Sequence, residues 1–274
     1  MSEFRSREDH LRILVLQPGN VGDLLVGTLE DRSLADVPSF DAISHCWQPC
    51  DSVVTFQLNG ANEFKISGHL GTCLQQIRDK SKERRIWIDA LCIKQPDGVS
   101  KYLLEQSSPA FRVCRKMIVW LGDLAKSPND EPSGTLAPID CAIGDPKHSD
   151  TTIRQAILAC DTRSRASAEM HKVWWKRLWC LQEFAVSPTD PVVMIGPYTL
   201  KWAHFAELAG DILHPVFHHF QRCREYGLPS DRDETQLESL MSAFSDFGCS
   251  NEWDRTIAVL GIINFAYTKT SLNK

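Results

Sequence analysis

Four short apolar runs in the middle of the chain constrain its fold more than any other feature of the sequence. They are FDAISHCW, IWID, MIVWLGD and PVVMIG, and segments with helical spacing of apolar residues lie between them. Short, continuously apolar runs are typical of strands that are buried on both faces of a sheet. Their alternation with helices predicts an α/β fold with a parallel sheet and helices on its faces.

Two hairpins and a helical tail are predicted around this alternating core. The segment RILVLQPGNVGDLLVGTLE has two apolar runs around a Pro-Gly turn, which predicts a hairpin at the edge of the domain. The segment VVTFQLNGANEFKIS contains Asn59-Gly60, a strong signal for a second hairpin. After residue 200 the pattern is helical, so we expect an α/β domain over 1–200 and a helical extension over 201–274 that packs on the same domain.

Charge and cysteine usage argue against several classes of function. The formal net charge is −5, which gives no sign of the basic face that binds nucleic acid or an anionic membrane. The apolar runs are too short to span a membrane, and the N-terminus lacks the apolar core of a secretory signal. The 10 cysteines are scattered without a C-x-x-C pair, which predicts reduced thiols in a cytoplasmic protein.

Polar residues follow the predicted buried strands at the point where each strand ends. In open parallel sheets, ligands bind beyond the carboxyl ends of the strands, so these residues are candidates for binding a substrate. The candidates are Ser44, His45, Trp47, Asp89 and Cys92. The alternative is that Ser44 and Asp89 cap the helices that follow them.

A tryptophan-rich segment, VWWKRLWCLQEFAVSP, is predicted to form a helix over residues 173–186 that also carries one glutamate, Glu183. Trp179 and Glu183 are four residues apart and therefore share a face of the helix. A carboxylate beside an indole has a partly apolar environment, which tends to raise its pKa, and the indole can contact an aromatic or cationic ring. The alternative is that Glu183 pairs with Arg177 or Lys176 at the surface while the tryptophans belong to the core.

Two clusters of metal-binding or nucleophilic residue types occur elsewhere. His214 and His218 have a spacing compatible with a metal ion, but no second pair of ligands accompanies them, so no metal site is predicted. His45 lies next to Cys46, and a Cys-His pair can act as a nucleophile when the two side chains are in contact. A metal or thiol enzyme built on His45 and Cys46 therefore stays open as one alternative.

Three ordered blocks of the sequence resemble the fungal heterokaryon incompatibility (HET) domain. The blocks are FDAISHCWQP at 40–49, IWIDALCIKQPD at 86–97 and WWKRLWCLQEFAVS at 174–187. Between the second and third blocks, MIVWLGD is similar to a further motif of the family. The resemblance covers nearly the whole chain.

HET domains are in turn similar to TIR domains. The resemblance therefore implies a TIR-like, flavodoxin-like parallel sheet flanked by helices, with N-terminal β-hairpin additions and a C-terminal helical extension. TIR enzymes cleave NAD+ with a glutamate, and Glu183 occupies the matching position, so the resemblance implies that it is the catalytic residue. NAD+ is then the substrate, with no separate cofactor, and Trp179 or Trp47 is expected to stack on its nicotinamide or adenine ring.

The family role that the resemblance implies is regulated cell death after recognition of non-self. We expect self-association into an oligomer, a sensor protein that triggers it, and a dormant free domain whose pocket is either completed only in the oligomer or covered by residues 201–274. Whether the chain belongs to a longer parent protein with further modules stays open. The alternative is a signalling module without enzymatic activity that assembles with copies of itself. His45 and Gln48, which stand where the family usually has tyrosine and glycine, favour this alternative.

Overall fold

One mixed sheet of 9 strands organises the part of the protein that the computed structural model describes. The described residues are 10–46, 52–60, 62–93, 109–122, 150–151, 153–155, 157, 174, 177–196 and 198–209. The strands are β1 (His10–Leu16), β2 (Leu25–Ser33), β3 (Asp41–His45), β4 (Val53–Leu58), β5 (Asn62–Ser67), β6 (Arg84–Ile88), β7 (Lys116–Trp120), β8 (Val192–Ile195) and β9 (Tyr198–Lys201). Their order across the sheet is β5-β4-β2-β1-β6-β3-β7-β8-β9. The helices with both ends described are α1 (Gly68–Ile77), α2 (Asp89–Cys92), α3 (Leu178–Val186) and α4 (Trp202–Ala209).

The predicted parallel sheet forms part of this mixed sheet. Strands β6, β3, β7 and β8 lie side by side and run parallel, with Ile43 of β3 opposite Ile88 on one side and Ile118 on the other. When β3, β6, β7 and β8 are numbered 1 to 4 in chain order, their order across the sheet is 2-1-3-4. Every residue of β8 is buried, as its continuously apolar run predicts. Every residue of β3 is buried as well, including the polar Asp41, Ser44 and His45.

The N-terminal hairpin forms as predicted, but it does not lie at the edge of the sheet. β1 pairs antiparallel with β2 from His10 opposite Ser33 to Leu16 opposite Gly27. β1 also pairs with β6, and β2 pairs with β4, so both strands of the hairpin are internal. The edge position was the wrong prediction because the apolar run of β1 is mostly buried, and such a strand is favoured where neighbours cover it on both sides.

The two edges of the sheet are formed by β5 and β9. β5 belongs to the second predicted hairpin, whose turn has positive φ angles at Asn59 (53°) and Gly60 (90°). Asn and Gly are the residues favoured in that backbone conformation. The sequence pattern does not predict β9, because its four residues are too few to show an alternation of buried and exposed positions.

Helix α3 carries Glu183 and begins later than predicted. The pattern predicts a helix from residue 173, but α3 begins at Leu178, since the backbone of Arg177 is extended (φ −91°, ψ 126°). Leu178 is buried in the core, whereas Ala185 is partly exposed. Trp174 therefore precedes the helix, and its indole hydrogen bonds to Ser44 of the sheet.

Helix α4 agrees with the helical pattern after residue 200. The rest of the predicted extension, 210–274, lies outside the described residues, as do Trp47 and the pair His214 and His218. The described cysteines are all free and buried, which agrees with the prediction of reduced thiols; they are Cys46, Cys73, Cys92, Cys114 and Cys180. Within the described ranges, no helix is long and apolar enough to cross a membrane.

One buried carboxylate holds the start of β3 against its neighbours. Asp41 is 2% exposed, and its oxygens lie 2.6 Å from Arg84 Nη2 and 2.9 Å from Arg115 Nη2. Arg84 also donates to the carbonyl of Ile77 at the end of α1. Because a buried charge is stable only when it is paired and hydrogen bonded, this group fixes β3, β6 and the approach to β7 relative to one another.

Candidate functional site

The carboxyl ends of the parallel strands meet at one rim of the sheet. β3 ends with Ser44 and His45, β6 is followed directly by Asp89, and β7 is followed by Leu121 and Gly122. Adjacent strand residues point to opposite faces, so Ser44 and His45 serve the two sides of the sheet. The structure thus brings together the strand ends that the sequence singled out.

On one face, Ser44 connects Glu183 to Trp174. The Ser44 hydroxyl donates a hydrogen bond to Glu183 Oε2 and accepts one from Trp174 Nε1 at 2.7 Å. Ser44 and Trp174 are buried, while part of Glu183 reaches solvent. Ser44 therefore positions the carboxylate, which is a different role from the helix cap considered as an alternative.

Arg177, at the start of α3, supplies the positive charge of the site. Its Nη1 donates to the carbonyl of His45 at 3.4 Å. Although burial opposes it, the negative charge on neighbouring groups, including Glu183 and Asp89, raises the pKa of Arg177 above its usual value. The alternative in which Glu183 has a basic neighbour is therefore partly met, because the charges of Glu183 and Arg177 act on each other. The two residues lie at the rim of the sheet and not on an exposed helix face.

Burial raises the pKa of Glu183 well above its ordinary value, and the charges of Cys180 and Asp89 act in the same direction. The hydrogen bond from Ser44 and the charge of Arg177 oppose this rise and favour the ionised carboxylate. A raised pKa for Glu183 agrees with the prediction from the sequence. Titratable groups that are shifted by burial and by specific partners, at a strand-end rim, are typical of functional sites.

A thiol pair lies beside Glu183 on the same face. Cys46 follows Ser44 by two residues on the strand side, and Cys180 precedes Glu183 by three on the helix side. Burial on its own raises the pKa of Cys46, but the hydrogen bond from Cys180 and the charge of Arg177 lower it overall. The hydrogen-bond partner of Cys46 is therefore a second thiol, that of Cys180. The group beside His45 is a carboxylate, that of Asp89.

On the other face, His45 lies between Asp89 and a second histidine. His45 Nδ1 is 3.5 Å from Asp89 Oδ1, and the rings of His45 and His69 are stacked with centroids 6.4 Å apart. The ring of His69 in turn contacts Trp120, at 6.0 Å between centroids. Burial lowers the pKa of both histidines, that of His69 to about 4, so both rings are neutral at pH 7.

The remaining predicted residues have different surroundings. Trp179 is partly buried and packs against the core. Cys92 is 1% exposed, and its sulfur accepts a hydrogen bond from the backbone N–H of Ile88 at 3.4 Å. Asp89 is the first residue of α2 and not its cap, since the N-cap is Ile88 and no side chain caps this helix. Its Oδ1 accepts from the Ala90 N–H at 2.7 Å and lies beside His45.

Sequence reasoning missed Arg177, Cys180 and His69 as members of the site. Arg177 and Cys180 lie in the same block as Glu183, so their nearness in the chain was an available signal. His69 carries no such signal, because only the crossover from β3 to β6 returns it to the end of β3. Among the described residues, no group of three His, Cys, Asp or Glu side chains is arranged to hold a metal ion.

Replacing Ser44 by alanine is expected to raise the pKa of Glu183 further and to destabilise the protein by about 1–3 kcal/mol, because the indole N–H of Trp174 loses its acceptor. Carboxyl titration by NMR and urea unfolding measure the two effects. The matched control is Ser81→Ala, at an exposed turn. An unchanged Glu183 pKa in Ser44→Ala would contradict the positioning role.

Comparisons with known proteins give a consistent result. The family model described as "Heterokaryon incompatibility protein (HET)" matches residues 40–183, a span that contains Ser44, Asp89 and Glu183. Heterokaryon incompatibility protein 6, OR allele, of Neurospora crassa is 24% identical over 220 residues, which cover 65% of this chain and 32% of that protein. The chain thus spans about a third of the length of this relative. No solved structure matches the chain significantly.

Proposed function

The chain belongs to the heterokaryon incompatibility (HET) family, and from that premise we propose that it is an effector of regulated cell death in fungal non-self recognition that cleaves NAD+ at the nicotinamide–ribose bond when it oligomerises. One observation carries the proposal. A partly buried carboxylate, Glu183, is held by Ser44 next to Arg177 at the carboxyl ends of parallel strands. That is where an open parallel sheet binds its ligands.

The chemistry requires only one carboxylate. Glycosidases commonly use a second carboxyl group as the acid that protonates the leaving oxygen. In NAD+ the leaving group is a cationic pyridinium that departs as neutral nicotinamide, so no general acid is needed. Ionised Glu183 stabilises the positive charge that develops on the ribose, and the partly dry surroundings strengthen that interaction.

The order of the parallel strands supports the TIR-like part of the proposal. The order 2-1-3-4 is that of the first four strands in the flavodoxin-like arrangement, in which the ligand lies where the strand order reverses. Here the reversal falls between β3 and β7. We assign substrate binding to Ser44, His45 and Asp89, and ring stacking to Trp179 or Trp47; Cys92, buried with its sulfur bonded to the backbone, is left out.

The rate of NAD+ cleavage is expected to rise with pH above 4.5, where an ordinary glutamate would already be ionised. The raised pKa of Glu183 means that the ionised fraction is smaller than for an ordinary glutamate and grows as the pH increases. The dependence of kcat/KM on pH reports this ionisation in the free enzyme. Ser44→Ala is expected to move the rising limb to higher pH, and a profile that is flat at all pH values above 4.5 would contradict the role of the carboxylate.

Nicotinamide release by the concentrated protein, with a crowding agent to promote assembly, tests the proposed function. The reaction is followed by chromatography, which also separates cyclic from linear ADP-ribose. Release that increases with protein concentration supports an enzyme activated by self-association. Intact NAD+ under conditions in which light scattering shows assembled protein would overturn the proposal.

A second candidate function is assembly without catalysis, in which the oligomer passes a death signal to a partner. The edge strand β5 favours it, because Phe64 of β5 and Val53 of the neighbouring β4 are 48% and 63% exposed. An open edge strand with exposed apolar side chains is a template for pairing with another chain. Under both candidates we place the protein in the cytoplasm, with a sensor protein that triggers its assembly.

A further inference from the structure

Two buried ring nitrogens at the end of β7 have no hydrogen-bond partner within the described part of the chain. They are Nε2 of His69 and Nε1 of Trp120. Trp120 is 0% exposed. A buried polar atom without a partner costs roughly 1–3 kcal/mol, so such atoms are rare in folded proteins and point to a group that completes them.

The two nitrogens lie together at the point where the strand order reverses. Trp120 is the register partner of His45 on the neighbouring strand, so both side chains are on the face opposite Ser44. The ring of His69 contacts those of both residues. The orphan atoms therefore belong to one cluster beside the crevice between β3 and β7.

Gly122 leaves room next to this cluster. Its φ of 108° is a backbone conformation that glycine adopts without strain. A Cβ atom at this position would meet, among the described residues, only the imidazole of His69, with Nε2 nearest at 3.4 Å. The Cβ position of residue 122 therefore lies within van der Waals contact of the unpartnered nitrogen.

The cluster is connected to the proposed catalytic carboxylate. Asp89 faces His45, and its charge also acts on Glu183. Arg177, beside Glu183, donates to the His45 carbonyl. A ligand that spans the end of β3 can therefore reach Glu183 on one side of the sheet and His69 on the other.

The hydrogen-bonding capacity of the two rings defines what they can bind. Indole N–H is only a donor, and it needs an acceptor on the ligand. The Nε2 of a neutral imidazole can accept a hydrogen bond, and it then needs an N–H on the ligand. The matching ligand edge carries an acceptor beside an N–H donor on a flat ring.

We propose that His69 and Trp120 form a subsite for a planar heterocycle whose edge carries an acceptor beside an N–H donor, as the carboxamide of nicotinamide and the amino edge of adenine do. The choice of nicotinamide and adenine as the candidate rings rests on the proposed function, in which NAD+ is the substrate. The subsite itself rests on the two unpartnered nitrogens and on their position beside the reversal of the strand order.

Binding to the full chain carrying Glu183→Gln, measured by calorimetry without turnover, tests the subsite. Nicotinamide mononucleotide is compared with nicotinic acid mononucleotide, and AMP with purine riboside 5′-monophosphate, because each second ligand lacks the amide or amino donor. We expect one of the two pairs to be discriminated about tenfold or more in Kd, which also identifies the ring that the subsite takes. Adding His69→Phe should remove the discrimination, while His204→Phe, an exposed histidine on α4, should preserve it.

Equal affinities within both pairs, absence of binding by all four nucleotides, or discrimination that persists in His69→Phe would overturn the subsite. The outcome is separable from the test of the proposed function. Discrimination by a protein that leaves NAD+ intact would keep the subsite and remove the enzyme. NAD+ cleavage whose KM is unchanged by His69→Phe would keep the enzyme and remove the subsite.

Discussion

Glu183→Gln is expected to lower the rate of NAD+ cleavage by at least about 10²–10³-fold, the range found when one preorganised electrostatic group is removed from an active site. Glutamine fills the same volume and can still accept the hydrogen bond from Ser44, but it cannot balance the positive charge that develops on the ribose. Nicotinamide release by the assembled protein measures the effect.

The same variant is expected to be more stable than the parent protein at pH 7. The pKa of Glu183 is raised in the folded state, so its stabilising contribution is complete below the ordinary value of 4.5 and is lost as the pH rises toward the folded value. Glutamine removes that loss, and the gain in Tm should therefore shrink as the pH falls toward 4.5.

Glu63→Gln, on the exposed edge strand β5, is the matched control and should not change the rate of NAD+ cleavage. If Glu183→Gln cleaves NAD+ at the parental rate, another group performs the reaction. If the variant instead assembles normally and still triggers cell death without cleavage, the assembly function is the correct one.

Asp41→Ala is expected to lower the free energy of unfolding by about 3–5 kcal/mol, because it leaves two arginines without their buried counter-ion. The loss should be largest for the arginine that is less exposed, Arg84, whose side chain is 13% exposed. Urea unfolding at pH 7 measures the change, and a loss of this size is a large share of the stability of an ordinary domain.

Asp31→Ala provides the comparison for Asp41. Asp31 pairs with Arg12 at 3.2 Å, but its side chain is 70% exposed, and surface pairs of this kind contribute about 0–1 kcal/mol. Equal effects of the two substitutions would show that the Asp41 group is not the buried link between β3, β6 and the approach to β7.

The parallel core could be predicted because burial on both faces leaves its mark on every residue of a strand. Runs such as IWI and MIVW admit no polar position, so they identify themselves without reference to the rest of the chain. The turn at Asn59-Gly60 is equally local, since its backbone angles select those residue types. The internal position of the N-terminal hairpin could not be predicted in this way, because the strands that pair with it come from distant segments of the chain.

The candidate site likewise has a part that the sequence predicts and a part that it does not. Its strand-end residues, Ser44, His45 and Asp89, follow from the rule that parallel strands present their carboxyl ends together. The hydrogen bond between Ser44 and Glu183 joins residues 139 positions apart, and the contact of His69 with Trp120 depends on a crossover that returns to the sheet. The sequence by itself determined the strands, the rim and the residue types available there, because periodicity and burial are local properties. Only the tertiary structure decided which side chains form hydrogen bonds, which charges act on each other and which ring nitrogens lack a partner. These interactions depend on distances of a few ångströms between residues that are far apart in the sequence.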